Sequence, residues 1–166
     1  DAAHKLVILA RLAFGLDVPL KAIQTDGIRR VTAQDLDYAL ELGYTIKPLA
    51  IAKAHGSEVE LRVHPTLVPC HHLLASVNGV FNAIFLQGDL VGDLLFYGRG
   101  AGQSPTSSAI LSDLGDLVQH ALLPGVSADH LWPRTGGLKL RPMARVVTRY
   151  YLRMHLADRP GVLAAI

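Results

Sequence analysis

Disulfides, long apolar runs and blocks of one charge are all missing from this sequence. Its one cysteine, Cys70, excludes an intrachain disulfide and suits a reducing compartment, so the expected location is the cytoplasm. Charged residues make up 18% of the chain, scattered along it, with a formal net charge of +2. Without a basic block, nucleic acid is not an expected partner. The most apolar N-terminal stretch, residues 6–20, is too short for a membrane span and is broken by Arg11, Asp17 and Pro19. It has no small-residue cleavage site, so it does not read as a signal peptide. The G-x-G-x-x-G turn with which a Rossmann domain grips a dinucleotide is absent. So is any C-x-x-C or H-x-x-x-H spacing, and His64, Cys70, His71 and His72 are therefore not expected to hold a metal.

What is present suffices for one ordinary globular domain: 166 residues, half of them apolar. The chain opens on Asp1 and closes on Ile166 inside an apolar run, which predicts a piece of a longer protein. Leu6, Leu9, Ala10, Ala13 and Phe14 recur at helical spacing over residues 2–14, with Gly15 placed to end the helix. Thr32 is positioned to cap a second helix over 33–42, with Asp35 in its first turn and Gly43 at its end. Residues 46–54 read as a buried strand. Val59, Leu61 and Val63 alternate with Glu58, Glu60 and Arg62, the pattern of a half-exposed strand. Residues 81–86 and 90–97 form a predicted hairpin around Gln87-Gly88-Asp89, followed by an amphipathic helix over 106–122. Residues 124–142 are rich in Gly and Pro. Beyond them, Tyr150, Leu152, Met154 and Leu156 alternate as a strand would, before Asp158-Arg159-Pro160-Gly161 and a predicted helix from Val162.

Between the hairpin and its helix, Gly98, Gly100 and Gly102 stand at alternate positions before Pro105. Glycine lets the backbone approach a ligand closely, and a helix N-terminus offers unpaired N–H groups. On spacing alone, a tight strand-to-helix loop is the simpler account. Asp1 and Lys5 lie four residues apart on the first helix, hence on one face. An exposed ion pair explains that spacing, and so does a carboxylate holding a polar group while an ammonium reaches a hydroxyl.

The wider sequence resembles the homoserine dehydrogenases. Asp1-Ala2-Ala3-His4-Lys5 is similar to the D-x-x-x-K of that family's signature. Gly27-Ile28, then Leu42-Gly43-Tyr44 and Ile46-Lys47-Pro48-Leu49-Ala50, resemble its G-I…L-G-Y-x-I-K-L-L-A, with Pro48 departing from the pattern. His72-Leu73-Leu74-Ala75 stands for H-P-L-A, with Leu73 in place of proline. Val77-Asn78-Gly79-Val80-Phe81-Asn82-Ala83-Ile84 and Gly88-Asp89 match V-x-G-x-x-N-A-I…G-D, and Tyr97 to Gly102 with Pro105-Thr106 match Y-G-x-G-A-G-x-x-P-T. The tail, Tyr150-Tyr151-Leu152-Arg153 with Asp158-Arg159-Pro160-Gly161-Val162-Leu163, resembles the start of an ACT domain, a small amino-acid-binding regulatory module.

The resemblance implies an NAD- or NADP-dependent interconversion of L-homoserine and L-aspartate 4-semialdehyde. It assigns proton transfer to Lys5, substrate contact to Asp1, and cofactor contact to Gly102 with Gly100 and Ala101 shaping the turn. Proton transfer suits a lysine, because partial desolvation makes an ammonium a better acid. It also implies an α+β fold with a mixed, largely antiparallel sheet and helices packed on it, a homodimer formed through that sheet, and a Rossmann domain absent from this chain. The implied division is a catalytic domain over 1–123, a linker over 124–143 and the start of a truncated ACT domain over 144–166. The fragment alone is expected to be inactive. The competing expectation is an amino-acid-responsive regulatory or dimerisation module without turnover.

Overall fold

Helix α1 (Ala2–Phe14) follows from its apolar spacing: Leu6 and Ala10, one turn apart, are its buried residues. Gly15 takes the left-handed conformation, φ 61°, that a side chain would resist, and donates its N–H to the Arg11 carbonyl at 2.9 Å. The structure, a computed structural model, describes residues 1–122, 137–157, 159, 161, 162 and 164.

Helix α2 (Ala33–Glu41) starts at a full capping box. The Thr32 hydroxyl oxygen accepts from the Asp35 N–H at 3.3 Å, while Asp35 Oδ2 accepts from the Thr32 N–H at 2.8 Å and its hydroxyl at 2.7 Å. Those Thr32 hydrogen bonds hold the Asp35 carboxyl below its usual range. Thr32→Ala is expected to destabilise the protein by about 1 kcal/mol. Urea denaturation reads this directly, and an unchanged midpoint would show that the cap is not limiting.

Strands β2 (Tyr44–His55) and β3 (Glu58–Pro69) pair antiparallel along their whole length, from Tyr44 opposite Pro69 to His55 opposite Glu58. Two short strands, β1 (Gln24–Thr25) and β6 (Lys139–Leu140), share the other edge of β3, and both run parallel to it. The sheet is thus mixed, and the expectation of a largely antiparallel one is corrected: two of its three pairings are parallel. The intervening α2 and β2 give the chain a crossover long enough to bring β3 alongside β1 in the same direction.

The core lies between α1 and β3. Leu6, Ala10, Leu16, Val18 and Ile23 close over Val59, Leu61 and Val63 of β3. The other residues of β3 depart from expectation, for Glu60 and Arg62 are buried, not solvated. Their charges are paired in the interior, with Arg62 Nη2 3.2 Å from Glu60 Oε1.

A separate two-stranded sheet consists of β4 (Phe81–Gly88) and β5 (Gly92–Arg99). Its turn is Asp89-Leu90-Val91, later than the expected Gln87-Gly88-Asp89, because Gly88 pairs with Gly92 as the last rung and Gly92 takes positive φ, 71°. Helix α3 (Gln103–Leu122) begins before the expected residue 106, placing Pro105 in the first turn, where its missing N–H costs nothing. Within α3 no residue is buried. Among the described residues no helix is long and apolar enough to cross a membrane.

The expected linker lies outside the described residues over 124–136, while Lys139–Leu140 joins the sheet as β6. The expected strand over 150–156 has no ladder partner among the described residues. Its alternation is nonetheless expressed. Tyr151 Oη donates to Asp35 Oδ1 at 3.1 Å and Arg153 Nε stands 3.0 Å from the same oxygen, while Tyr150 and Leu152 remain 75% and 74% exposed. Of the helix expected from Val162, residues 163, 165 and 166 lie outside the described residues.

Candidate active site

Asp1 occupies the N-cap position of α1, yet its side chain caps nothing. Its carboxylate turns instead to Lys5, with Nζ and Oδ2 2.8 Å apart and the two side chains 62% and 82% exposed. Both groups thus face solvent from the first turn of a helix whose opposite side is fixed in the core through Leu6 and Ala10. An exposed pair on a rigid base can exchange its internal contact for contacts to a polar ligand.

The second element is the turn from β5 into α3. Gly100, Ala101 and Gly102 are all exposed and carry a single methyl among them. Gly102 has φ 126°, which disfavours any side chain, and its carbonyl accepts from the Thr106 N–H at 3.2 Å and the Thr106 hydroxyl at 2.8 Å. Gly100 donates its N–H to the Val80 carbonyl at 3.1 Å. A Cβ on Gly100 would overlap the Asn82 carboxamide, so a side chain there would have to displace the end of Asn82. A bare, exposed turn at the N-terminus of a 20-residue helix fits a dinucleotide, since backbone N–H groups can meet it without obstruction. Among the described residues no hydrogen bond or ion pair joins this turn to Asp1 or Lys5.

One further residue has no role assigned from sequence. Lys47 on β2 donates from Nζ to the Val77 carbonyl at 2.7 Å and to Asn78 Oδ1 at 2.6 Å. With Lys53, it is a charged residue inside an otherwise apolar strand, and that interruption was the available signal.

His64 and His72 are occupied structurally. His72 Nδ1 accepts from the Leu74 N–H at 3.1 Å, and its ring meets Phe85 edge-on with centroids 4.9 Å apart. His64 Nε2 lies 3.1 Å from Arg62 Nη1, and its Nδ1 lies 2.8 Å from the Pro65 carbonyl oxygen. Among the described residues no group of three or more His, Cys, Asp or Glu side chains is placed to hold a metal.

The homoserine dehydrogenase family profile matches residues 1–114, from the Asp1–Lys5 pair through the glycine turn and into α3. The chain belongs to the homoserine dehydrogenase family. The homoserine dehydrogenase of Pseudomonas aeruginosa is 45% identical over 170 residues, covering all of this chain and 39% of that enzyme. That of Bacillus subtilis is 37% identical over 166 residues, covering all of this chain and 38% of that enzyme. The crystal structure of a homoserine dehydrogenase from Thiobacillus denitrificans superposes with a TM-score of 0.89 at 45% identity, over 99% of this chain and 39% of that one. The chain therefore spans about two fifths of the length of the relatives it matches.

Proposed function

We propose that this chain supplies the substrate side of a homoserine dehydrogenase, an oxidoreductase that interconverts L-homoserine and L-aspartate 4-semialdehyde. The observation that carries the reading is the solvent-facing Asp1–Lys5 pair, set on a core-anchored helix inside a family match that runs the length of the site. NAD or NADP, when bound, supplies the hydride acceptor for C4 of homoserine. The chain's own residues do the rest. Asp1 holds the substrate's ammonium or the Lys5 side chain, and Lys5 takes the hydroxyl proton as the aldehyde forms, returning it in the reverse direction. Gly100, Ala101 and Gly102 leave room for the dinucleotide.

Two further assignments belong to this reading. The nucleotide-binding Rossmann domain lies outside this sequence, and α3 packs against it. Ile110, Leu114, Leu117 and Val118 of α3 are 55%, 51%, 64% and 56% exposed, which supports an apolar face awaiting a partner. Residues 1–123 form the catalytic domain and 144–166 the start of an ACT domain, with a homodimer formed through the sheet and the assembled enzyme in the cytoplasm.

The test is reduction of NAD and NADP with L-homoserine, by the 166-residue chain and by the chain together with the coding sequence that precedes it. Activity of the longer protein and none of the shorter one is expected. Inactivity of both, with amino-acid binding retained, would replace this reading by that of a regulatory module.

A further inference from the structure

We infer that Lys47 is a positioning residue that fixes the glycine turn of residues 100–102 relative to the Asp1–Lys5 pair. The inference deepens the proposed dehydrogenase reading and rests on it. The two halves of the site are carried by different parts of the fold. Asp1 and Lys5 ride on α1, which is packed against β3. The glycine turn hangs from the hairpin, a sheet of its own. Hydride and proton must leave the same substrate carbon and its oxygen, so the two halves need a fixed separation, and a misplacement of ~1 Å can cost on the order of a hundredfold in rate.

Lys47 ties the larger sheet to the segment that leads into the hairpin. It sits on β2, hydrogen-bonded along its length to β3. Its ammonium holds both the Val77 carbonyl (2.7 Å) and the Asn78 carboxamide (2.6 Å), charge-assisted bonds to a turn thirty residues away in sequence. Asn78 is held in turn, its Nδ2 donating to the Ser76 carbonyl at 3.2 Å. From there the path to the glycines is short. Gly79 turns the chain with φ 64°, Val80 receives the Gly100 N–H, and Asn82 lies against Gly100. The hairpin base is stiffened by the stack of Phe81 on Tyr97, centroids 4.9 Å apart, with Arg99 over the Phe81 ring at 5.7 Å. A displacement of the Val77–Asn78 turn is therefore passed on to Gly100, not absorbed. Both acceptors of Lys47 are protein atoms, which makes its role one of placement and leaves the proton step to Lys5.

The experiment uses the full-length enzyme and follows both NADPH or NADH binding, by nucleotide fluorescence, and steady-state kinetics. Lys47→Met is expected to weaken nucleotide binding and lower turnover by about tenfold each, without altering the shape of the pH–rate profile. Asn78→Ala, which removes one of the two contacts from the other side, is expected to change the same two readouts in the same direction by a smaller factor, and the double variant to be no worse than Lys47→Met alone. Lys47→Arg should recover part of the loss by keeping a cation at that position. Wild-type nucleotide affinity and turnover in Lys47→Met would overturn the inference, as would a changed pH profile, which would make Lys47 a proton carrier. If Lys47→Met fails to fold, Asn78→Ala and Lys47→Arg decide on the same readouts. Failure of the wild-type enzyme to bind nucleotide would instead overturn the dehydrogenase reading itself.

Discussion

Lys5→Ala in the full-length enzyme is expected to lower turnover by about 10²- to 10⁴-fold, the usual contribution of a positioned general acid or base. The Michaelis constant for homoserine should move little, because in the role proposed for it the lysine meets the proton leaving the hydroxyl, an interaction made mainly in the transition state. Stability should hardly change. The ammonium is 62% exposed and its one ion pair, to Asp1, is more exposed still, so solvent screens what it contributes to folding. This contrast separates chemistry from structure: a variant with wild-type melting behaviour and collapsed turnover has lost a reacting group. Lys5→Arg should not restore activity, since a guanidinium is never deprotonated in proteins and cannot take the substrate proton. Turnover close to wild type in Lys5→Ala would remove the proton step from this residue, and equal loss in stability and rate would reduce it to a scaffold.

The parts of this site legible from sequence are those made by neighbours in the chain. The i,i+4 spacing of Asp1 and Lys5 becomes an ion pair because one helical turn brings the two side chains together. Gly15, Thr32 and Asp35 act as caps for the same local reason. What sequence patterning misplaced depends on distant partners. Two glycines, Gly88 and Gly92, bracket the hairpin loop, and only the pairing register decides that the second one bends the chain. Lys47 interrupts an apolar run without saying why, because its acceptors lie thirty residues further on. The alternation over residues 150–156 promises a strand. A strand exists only where another backbone accepts its hydrogen bonds, and here Tyr151 and Arg153 use their side chains on Asp35 instead. Glu60 and Arg62 carry the polar half of an alternating pattern, which ordinarily marks the solvated face of a strand. Their burial is offset by the ion pair between them, which alternation alone does not announce.

Glu60→Leu is expected to be the most damaging single substitution for stability, costing about 3–5 kcal/mol, the range for breaking a buried ion pair from one side. The side chains of Glu60 and Arg62 are only 5% and 6% exposed, so water cannot replace the lost partner. Arg62 Nε already has no hydrogen-bond partner among the described residues, and once Glu60 is gone the side-chain partner given for the guanidinium among them is His64 at 3.1 Å. An arginine cannot shed its charge to escape the penalty. Arg62→Leu should cost less, because the carboxylate left behind retains His55 at 3.1 Å. Replacing both residues with leucine removes two desolvated charges together and should come within about 1–2 kcal/mol of wild type, on either side, as apolar replacements of buried pairs do. Urea denaturation of the two single variants and the double one closes a thermodynamic cycle, in which a strongly favourable coupling is the expected result. Single substitutions that add up to the double one would show that the pair, though buried, is not what holds this face of β3.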